Sequence, residues 1–329
     1  MNTNRAANPE KIIDIATGFM PARQLITASR IGLFAALADG ALTADQLADA
    51  TGVAVRQVRI LADSMSAQGL LDRVAGQYRL TTDSAGYLSG KNAEVDLAPF
   101  LAFLGEISYR QWLGYDHTVD TDQPGTLDLD ESGWGAFMAG VMTYNQLHAQ
   151  QFAAKIDFSR FRNGLDLGGL SPAFGIGALQ ANPELRLRFV YASEMADGVR
   201  QALQAAGFGD RVAVEGADTA TAEPGGEHDL IFVNHVVHRF DERQNRSILE
   251  HARAAAADGA TLLLTDFFLD DDPHQRALDA VHAGEYYNID GTVVYPEREV
   301  REWLAAAGWR PDRVVPLPGS PRVLVATAV

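Results

Sequence analysis

Apolar residues recur at helical spacing through the first hundred or so positions, and from roughly residue 163 the rhythm changes to short apolar runs between amphipathic stretches. The run PEKIIDIATGFMPARQLITASRIGLFAALADG predicts helices, with Gly40 as their stop. In LTADQLADATGVAVRQVRILADSMSAQGLL, Thr43 caps a helix reaching Asp49, Thr51–Gly52 makes a turn, and a second helix covers Val55 to Gln68. LLDRVAGQYRLT then alternates around Ala75–Gly76, as a hairpin does. Helix, turn, helix and hairpin in that order make a winged helix.

Residues 92–155 carry large apolar side chains at helical spacing, among them Phe103, Trp112, Phe137, Met138 and Met142, with DHTVDTDQPGTLDLDESG interrupting them. Such stripes are mostly core, but between two domains some of them line ligand clefts. The strands GLDLGG, RFVYAS, RVAVEGA, HDLIFVNHVVH, ATLLLTDFF and RVLVATAV follow, most of them separated by helical segments such as MADGVRQALQAAG and PEREVREWLAAAG. ARAAAADGA reads as a helix end stopped at Asp258–Gly259. This alternation predicts an α/β, doubly wound, Rossmann-like domain whose ligand crevice lies at the strand ends Gly168, Ala192, Ala217, Asn234 and Asp266. The expected division is a winged-helix domain at 1–100, a helical linker lining the substrate pocket at 101–155, and the Rossmann-like domain at 156–329.

Charge narrows the partners. Acidic residues outnumber basic ones 43 to 27, a net −16. That balance opposes phosphate contact, so no nucleic-acid partner is expected even though Arg56 and Arg59 lie on the second helix of the winged-helix pattern. No apolar run approaches the ~18 residues a membrane span needs, and the polar start MNTNRAANPEKIID has no export-signal core. With no cysteine, disulfides, thiol catalysis and cysteine-ligated metals are excluded. A cytoplasmic protein with a small-molecule substrate and no membrane partner is expected.

ATGFMPARQLITASRIGLFAALADGALTADQLADATGV, DLIFVNHVVHRFDERQNRSILEHARAAAADGATLLLTD and YPEREVREWLAAAGW carry a resemblance over nearly the whole chain. It is similar to class I S-adenosylmethionine-dependent small-molecule O-methyltransferases, bacterial relatives of the plant caffeate and flavonoid enzymes. The resemblance implies a homodimer formed through the winged-helix domain, S-adenosyl-L-methionine as cofactor, and an aromatic or polyketide-like substrate of natural product biosynthesis. It also implies His238 as the general base and Asp266 as the carboxylate that orients it. An imidazole, ordinarily titrating near 6.5, suits proton removal near neutrality when a carboxylate fixes its tautomer. His235, Tyr287 and Asn288 join Phe103, Trp112, Phe137, Met138 and Met142 as expected pocket residues.

The cofactor positions depart from the family pattern. In its D-x-G-x-G-x-G turn Asp166, Gly168 and Gly169 are present, but Leu170 and Pro172 replace the later two glycines. Leucine adds bulk where the cofactor should lie, and proline removes an N–H donor. Ala192 stands where an acid would bind the ribose hydroxyls, and Asp218 falls one residue beyond the acid expected near the adenine. Arg239 replaces the aspartate after the histidine, and a second catalytic carboxylate is replaced at Val293 or Val294. Weakened cofactor binding is therefore expected, which opens a second reading: a cyclisation, elimination, isomerisation or decarboxylation that uses His238 and Asp266 alone. A non-catalytic ligand-binding dimer is a third. Ser171 in GLSPA sits where a nucleophile elbow would, but no histidine follows His282 and no HGGG-type segment is present. His235-x-x-His238 with Asp266 is a weak metal pattern that the resemblance explains without an ion, so no metal is expected.

Overall fold

The computed structural model describes residues 7–271 and 275–329, so the first six residues of the polar N-terminal stretch lie outside the described residues. It divides into two compact units, one of residues up to Arg110 with Leu129–Thr143, the other of Gln111–Asp128 with Tyr144–Val329. No helix among the described residues is long and apolar enough to cross a membrane.

In the first unit the opening apolar run is three helices, Glu10–Thr17, Phe19–Arg30 and Leu33–Ala36. The last break falls at Gly32, whose φ of 75° suits glycine's freedom. Helix Ala44–Thr51 starts with a capping box: the Gln46 amide donates to Thr43 Oγ1 at 3.3 Å, and the Thr43 amide donates to Gln46 Oε1 at 2.8 Å. Strand β1 (Leu42–Thr43), which the pattern did not show, joins β2 (Leu71–Val74) and β3 (Gln77–Leu80) in the order β1-β3-β2. Ala75 and Gly76, at φ 53° and 81°, make the tight turn between β2 and β3. Helix Val55–Ala67 packs here through Val58, Ala62 and Met65, which are fully buried with Leu33 and Leu47. Its Asp63 accepts from the Tyr78 hydroxyl at 2.6 Å and from Arg73 at 2.9 Å, tying helix to hairpin.

The second unit is built on seven strands: β4 (Asn163–Leu167), β5 (Arg186–Tyr191), β6 (Val212–Gly216), β7 (His228–Asn234), β8 (Ala256–Asp266), β9 (Trp309–Pro316) and β10 (Arg322–Ala328). Their order is β6-β5-β4-β7-β8-β10-β9, all running one way except β10, which is antiparallel to both of its neighbours. The chain works outward from β4 in one direction, then returns to place β7 on β4's other side. The topological switch point, where such sheets bind ligands, is thus between the ends of β4 and β7.

Side-chain alternation gives each face its own core. Leu165, Leu167, Ile231, Val233, Leu262 and Leu264 pack with Ile248, Leu249, Trp303 and Leu304 of helices Glu242–Ala254 and Glu297–Ala306. Phe189, Tyr191, Phe232 and Leu263 pack on the other face with Phe152, Phe174 and Ala178. Two expectations need correction. The helix expected to run to Asp258–Gly259 ends at Ala254, and β8 begins at Ala256, with the register shift between His228 and Leu230 absorbing that glycine segment. Strand β9 was not expected at all. It is an edge strand carrying Pro311 and Pro316, with a register irregularity opposite Val325/Ala326.

Candidate active site

Beyond β7 the chain turns sharply. His235 has a left-handed φ of 54°, its amide donates to the Thr265 carbonyl at 2.8 Å, and one 3-10 turn, Val237–Arg239, follows. That turn delivers His238 to the end of β8. His238 Nδ1 lies 2.9 and 3.0 Å from the two oxygens of Asp266, whose side chain is 1% exposed. The carboxylate also accepts from the Phe267 amide at 2.9 Å and the His238 amide at 3.3 Å. Burial pushes the Asp266 carboxyl up, but the combined pull of His238, its hydrogen bonds and His235 outweighs burial and holds it below the usual range. An ionised carboxylate only accepts, so Nδ1 carries a proton, and in the neutral form of the ring Nε2 is the nitrogen with the lone pair. The Tyr286 ring stands 4.6 Å from the imidazole.

A second imidazole pair lies alongside. His148 Nδ1 is 3.0 Å from His235 Nε2, and both residues are buried. Burial drives the His148 pKa well down and takes that of His235 to about 4, so the pair is neutral near pH 7. The Tyr144 ring lies 4.0 Å from that of His148, tilted by 60°, and its hydroxyl meets His282 Nε2 at 3.2 Å. Because His282 Nδ1 donates to the Leu278 carbonyl at 2.7 Å, Nε2 accepts from the phenol. His235, His238 and Asp266 bring one ligand atom each within 4.8 Å of one another. The hydrogen bonds already made to the Asp266 oxygens give this group the geometry of an oriented base.

The turn after β4 is built differently. Gly168 has φ 79°, and a Cβ there would lie 2.1 Å from Thr219 Cγ2. Thr219 thus packs against the bare backbone, and the Tyr191 hydroxyl stands 2.9 Å from where a Gly169 Cβ would be. That hydroxyl donates to the Ser171 carbonyl at 2.9 Å and to Asp166 Oδ2 at 3.3 Å. Asp166 is 1% exposed, and burial pushes its carboxyl up to about 8 against the opposing effect of the Tyr191 bond. Arg239 Nη1 donates to the Gly168 carbonyl at 2.8 Å, crossing the switch point from β7 to β4. Asp218 uses its carboxylate locally, accepting from the Ala220 amide at 2.8 Å and the Thr221 amide at 3.2 Å.

Comparison with known proteins decides the lineage. A family model described as the O-methyltransferase domain matches residues 111–310, and one described as the O-methyltransferase dimerisation domain matches residues 13–90. The chain belongs to the O-methyltransferase family. A 3-hydroxy-5-methyl-1-naphthoate 3-O-methyltransferase of Streptomyces sahachiroi is 30% identical over 93% of this chain and 91% of its own. The tetracenomycin polyketide synthesis 8-O-methyl transferase TcmO of Streptomyces glaucescens is 25% identical, covering 94% of each chain. The structure of the pyocyanin biosynthetic protein PhzM shares the fold at TM-score 0.87 and 20% identity, over 97% of this chain and 98% of that one. The chain is accordingly a methyltransferase-like enzyme of a secondary-metabolite family, with that family's N-terminal dimerisation domain and Rossmann-like sheet.

Against this family frame, the expected pocket residues separate. Phe103 and Phe137 meet edge to face at 5.4 Å in the first unit, where Met138 is 40% exposed; Met142, half-buried, belongs to the same unit. Trp112 binds Glu285 through its indole N–H. Tyr287 and Asn288 do not face His238. Tyr287 donates to Asp122 at 3.1 Å, and Asn288 accepts from Thr118 at 3.2 Å. The neighbouring Tyr286 is the one whose ring stands beside His238, because one helical step turns the side chain by roughly 100°. The residue pattern places Tyr144 in the apolar stripe and gives His282 no role, and it does not single out His148 or Tyr286. The available signal was a pair of aromatic polar couples at i,i+4, Tyr144/His148 and His282/Tyr286, each on one helix face. Where a second carboxylate was absent, Val293 uses its amide instead, donating to the His238 carbonyl at 3.2 Å.

Proposed function

We propose that this O-methyltransferase-family enzyme removes a proton from a hydroxyl of a small aromatic or polyketide-like metabolite, with His238 as the base. The observation that carries this reading is the His238–Asp266 pair: Nδ1 is held by a buried carboxylate and Nε2 is left as the proton acceptor. Proton uptake at Nε2 makes an imidazolium that Asp266 stabilises at contact distance. The neutral His148–His235 pair beside it adds no competing positive charge near neutral pH. The carbon skeletons named for the relatives, a naphthoate and the tetracenomycin polyketide, support the aromatic substrate class. Exposed Ile12, Ile13, Ile15, Phe19 and Met20 support a homodimer through the first unit, which light scattering at micromolar concentration tests.

Besides one carboxylate, S-adenosylmethionine carries a sulfonium, an ammonium and two ribose hydroxyls, so its site needs several free acceptors. Here Arg239 occupies the Gly168 carbonyl, Asp166 holds its proton, Asp218 caps its own turn, and Ala192 offers no side-chain acceptor. These residues do not fit that group. This supports the second reading, in which proton removal leads to a cyclisation, elimination, isomerisation or decarboxylation. The test is to incubate hydroxylated aromatic and polyketide metabolites with the protein, with and without S-adenosylmethionine, and weigh the products. Turnover without the cofactor, lost in His238→Ala, is the expected result. A product that gains a methyl group only when the cofactor is present would overturn the non-methylating reading while leaving His238 as base.

A further inference from the structure

We infer that Arg239 is the recognition residue for a carboxylate on the ligand, so that the switch-point crevice takes an aromatic hydroxy acid: carboxylate on Arg239, hydroxyl at His238. The position of the hydroxyl rests on the His238 reading above; the carboxylate site stands on observations of its own.

The first is how this chain treats its other sheltered arginines. Arg322, 11% exposed, is held by Asp270 at 2.6 Å and Glu297 at 3.3 Å, and donates to the Phe268 carbonyl at 2.5 Å. Arg276 meets Asp279 at 3.3 Å and donates to the Leu317 and Ser320 carbonyls. Arg211 spreads over the carbonyls of Leu179, Asn182, Pro183 and Leu185. Arg239 has one bond, to the Gly168 carbonyl, and among the described residues no carboxylate stands within ion-pair distance. A guanidinium has five N–H donors in a planar fork that matches a carboxylate bidentately. Burial depresses the Arg239 pKa, the mark of a cation whose lost hydration is only partly replaced.

The second is position. Arg239 spans the ends of β4 and β7, where an open parallel sheet binds its ligand, and it follows His238 directly on one turn. His238 points to the end of β8 and Arg239 to the end of β4, two strand spacings away, about 10 Å. An aromatic ring with a hydroxyl and a carboxylate bridges that span once hydrogen-bond lengths are added at both ends.

The third is that the nearby acids are spoken for: Asp266 is ionised and raises the Arg239 pKa through space, but its oxygens are held by His238 and backbone amides. The Asp166 carboxyl is neutral below about pH 8, and Asp218 is turned to its own backbone amides. The Asn234 side chain, 2% exposed at the end of β7, has neither its nitrogen nor its oxygen hydrogen-bonded among the described residues, which leaves a further polar group for a ligand.

The test is ligand-observed NMR titration of the full chain with 3-hydroxybenzoate and its uncharged isostere 3-hydroxybenzamide. The wild type should bind the acid at least about tenfold more tightly, the ~1.4 kcal/mol that a single charge-assisted hydrogen bond readily supplies. Arg239→Gln should bind the two equally, and Arg239→Asp should bind S-adenosylmethionine more tightly than the wild type does. His238→Ala should keep the preference for the acid, so failure of the base reading is told apart from failure of this one. Equal affinity of wild type for acid and amide, no saturable binding of the acid at millimolar concentration, or a preference that survives in Arg239→Gln would each overturn the inference. The wild-type comparison decides the matter even if a variant fails to fold.

Discussion

Asp166 and Asp266 sit near the ends of strands in one sheet, each 1% exposed, yet one is neutral and the other ionised near pH 7. Asp266 receives an imidazole N–H and two backbone amides and is ionised. Asp166 receives one phenol at 3.3 Å and keeps its proton up to about pH 8. Burial is common to both, so partners decide. The basic groups differ in the same way: His238 is hydrogen-bonded to the Asp266 carboxylate, whereas Arg239 has one hydrogen bond, to a carbonyl, with its guanidinium over the Phe240 ring. The two sides of the switch point thus differ in kind: an ionised carboxylate paired with an imidazole at the end of β8, and a neutral carboxyl with an arginine on a backbone carbonyl at the end of β4.

The largest expected effect tests the first piece. His238→Ala should lower turnover of the substrate by about a hundredfold or more, ~2.7 kcal/mol, with affinity for the ligand changing far less. Full activity in a steady-state assay would place the chemistry elsewhere.

Next comes the charge state of Asp166. The folded protein keeps on this group a proton that the unfolded chain releases near 3.9, so its contribution to stability is complete below that pH and is lost as pH rises to about 8. His235, depressed to about 4, works the other way: stability is full above about 6.5 and falls as pH drops toward 4. Between 4 and 6.5 the two oppose each other. From about 6.5 to 8 the Asp166 slope stands alone, worth on the order of 2 kcal/mol. Asp166→Asn should flatten that stretch in urea titrations; an unchanged slope would erase the contrast between the two acids.

Asp266→Asn should cost turnover about tenfold, less than loss of the base itself, since an amide can still orient the ring but carries no charge to answer an imidazolium. The pH–rate profile should shift with it, because a purely structural role would leave that profile in place. The smallest effect belongs to Tyr191→Phe. It removes the donor to Ser171 and Asp166 and should cost ~1 kcal/mol of stability, read from the denaturation midpoint, without changing the preference for an acid ligand.

What could be read from the residues was mostly local or periodic. The Thr43 capping box, the Ala75–Gly76 turn and the six expected strands announce themselves because cap, turn and alternation are short-range. His238 and Asp266, 28 positions apart, came from the resemblance rather than from any spacing rule. Strand β9 was hidden because its prolines and charges are tolerable only on an edge, and edge status is a property of the whole sheet. The side Tyr286 faces, rather than Tyr287, depends on a helix phase that one sequence does not fix. His148 reaches His235 across 87 residues, and Arg239 reaches Gly168 across 71. The substitution at Arg239 was visible as a departure from the family, but its target became visible only with the fold.

The interleaving of the two units has a consequence for biosynthesis. Because Leu129–Thr143 belongs with residues up to Arg110 while Gln111–Asp128 belongs with the rest, no single cut yields either unit whole. During translation the N-terminal unit lacks one of its own pieces until residue 143 has left the ribosome, and Gln111–Asp128 waits longer still, for a sheet whose last strand ends at Ala328. Residues 111–128 emerge early and are stabilised late, so a nascent-chain protease assay should find cleavage there until β10 has emerged.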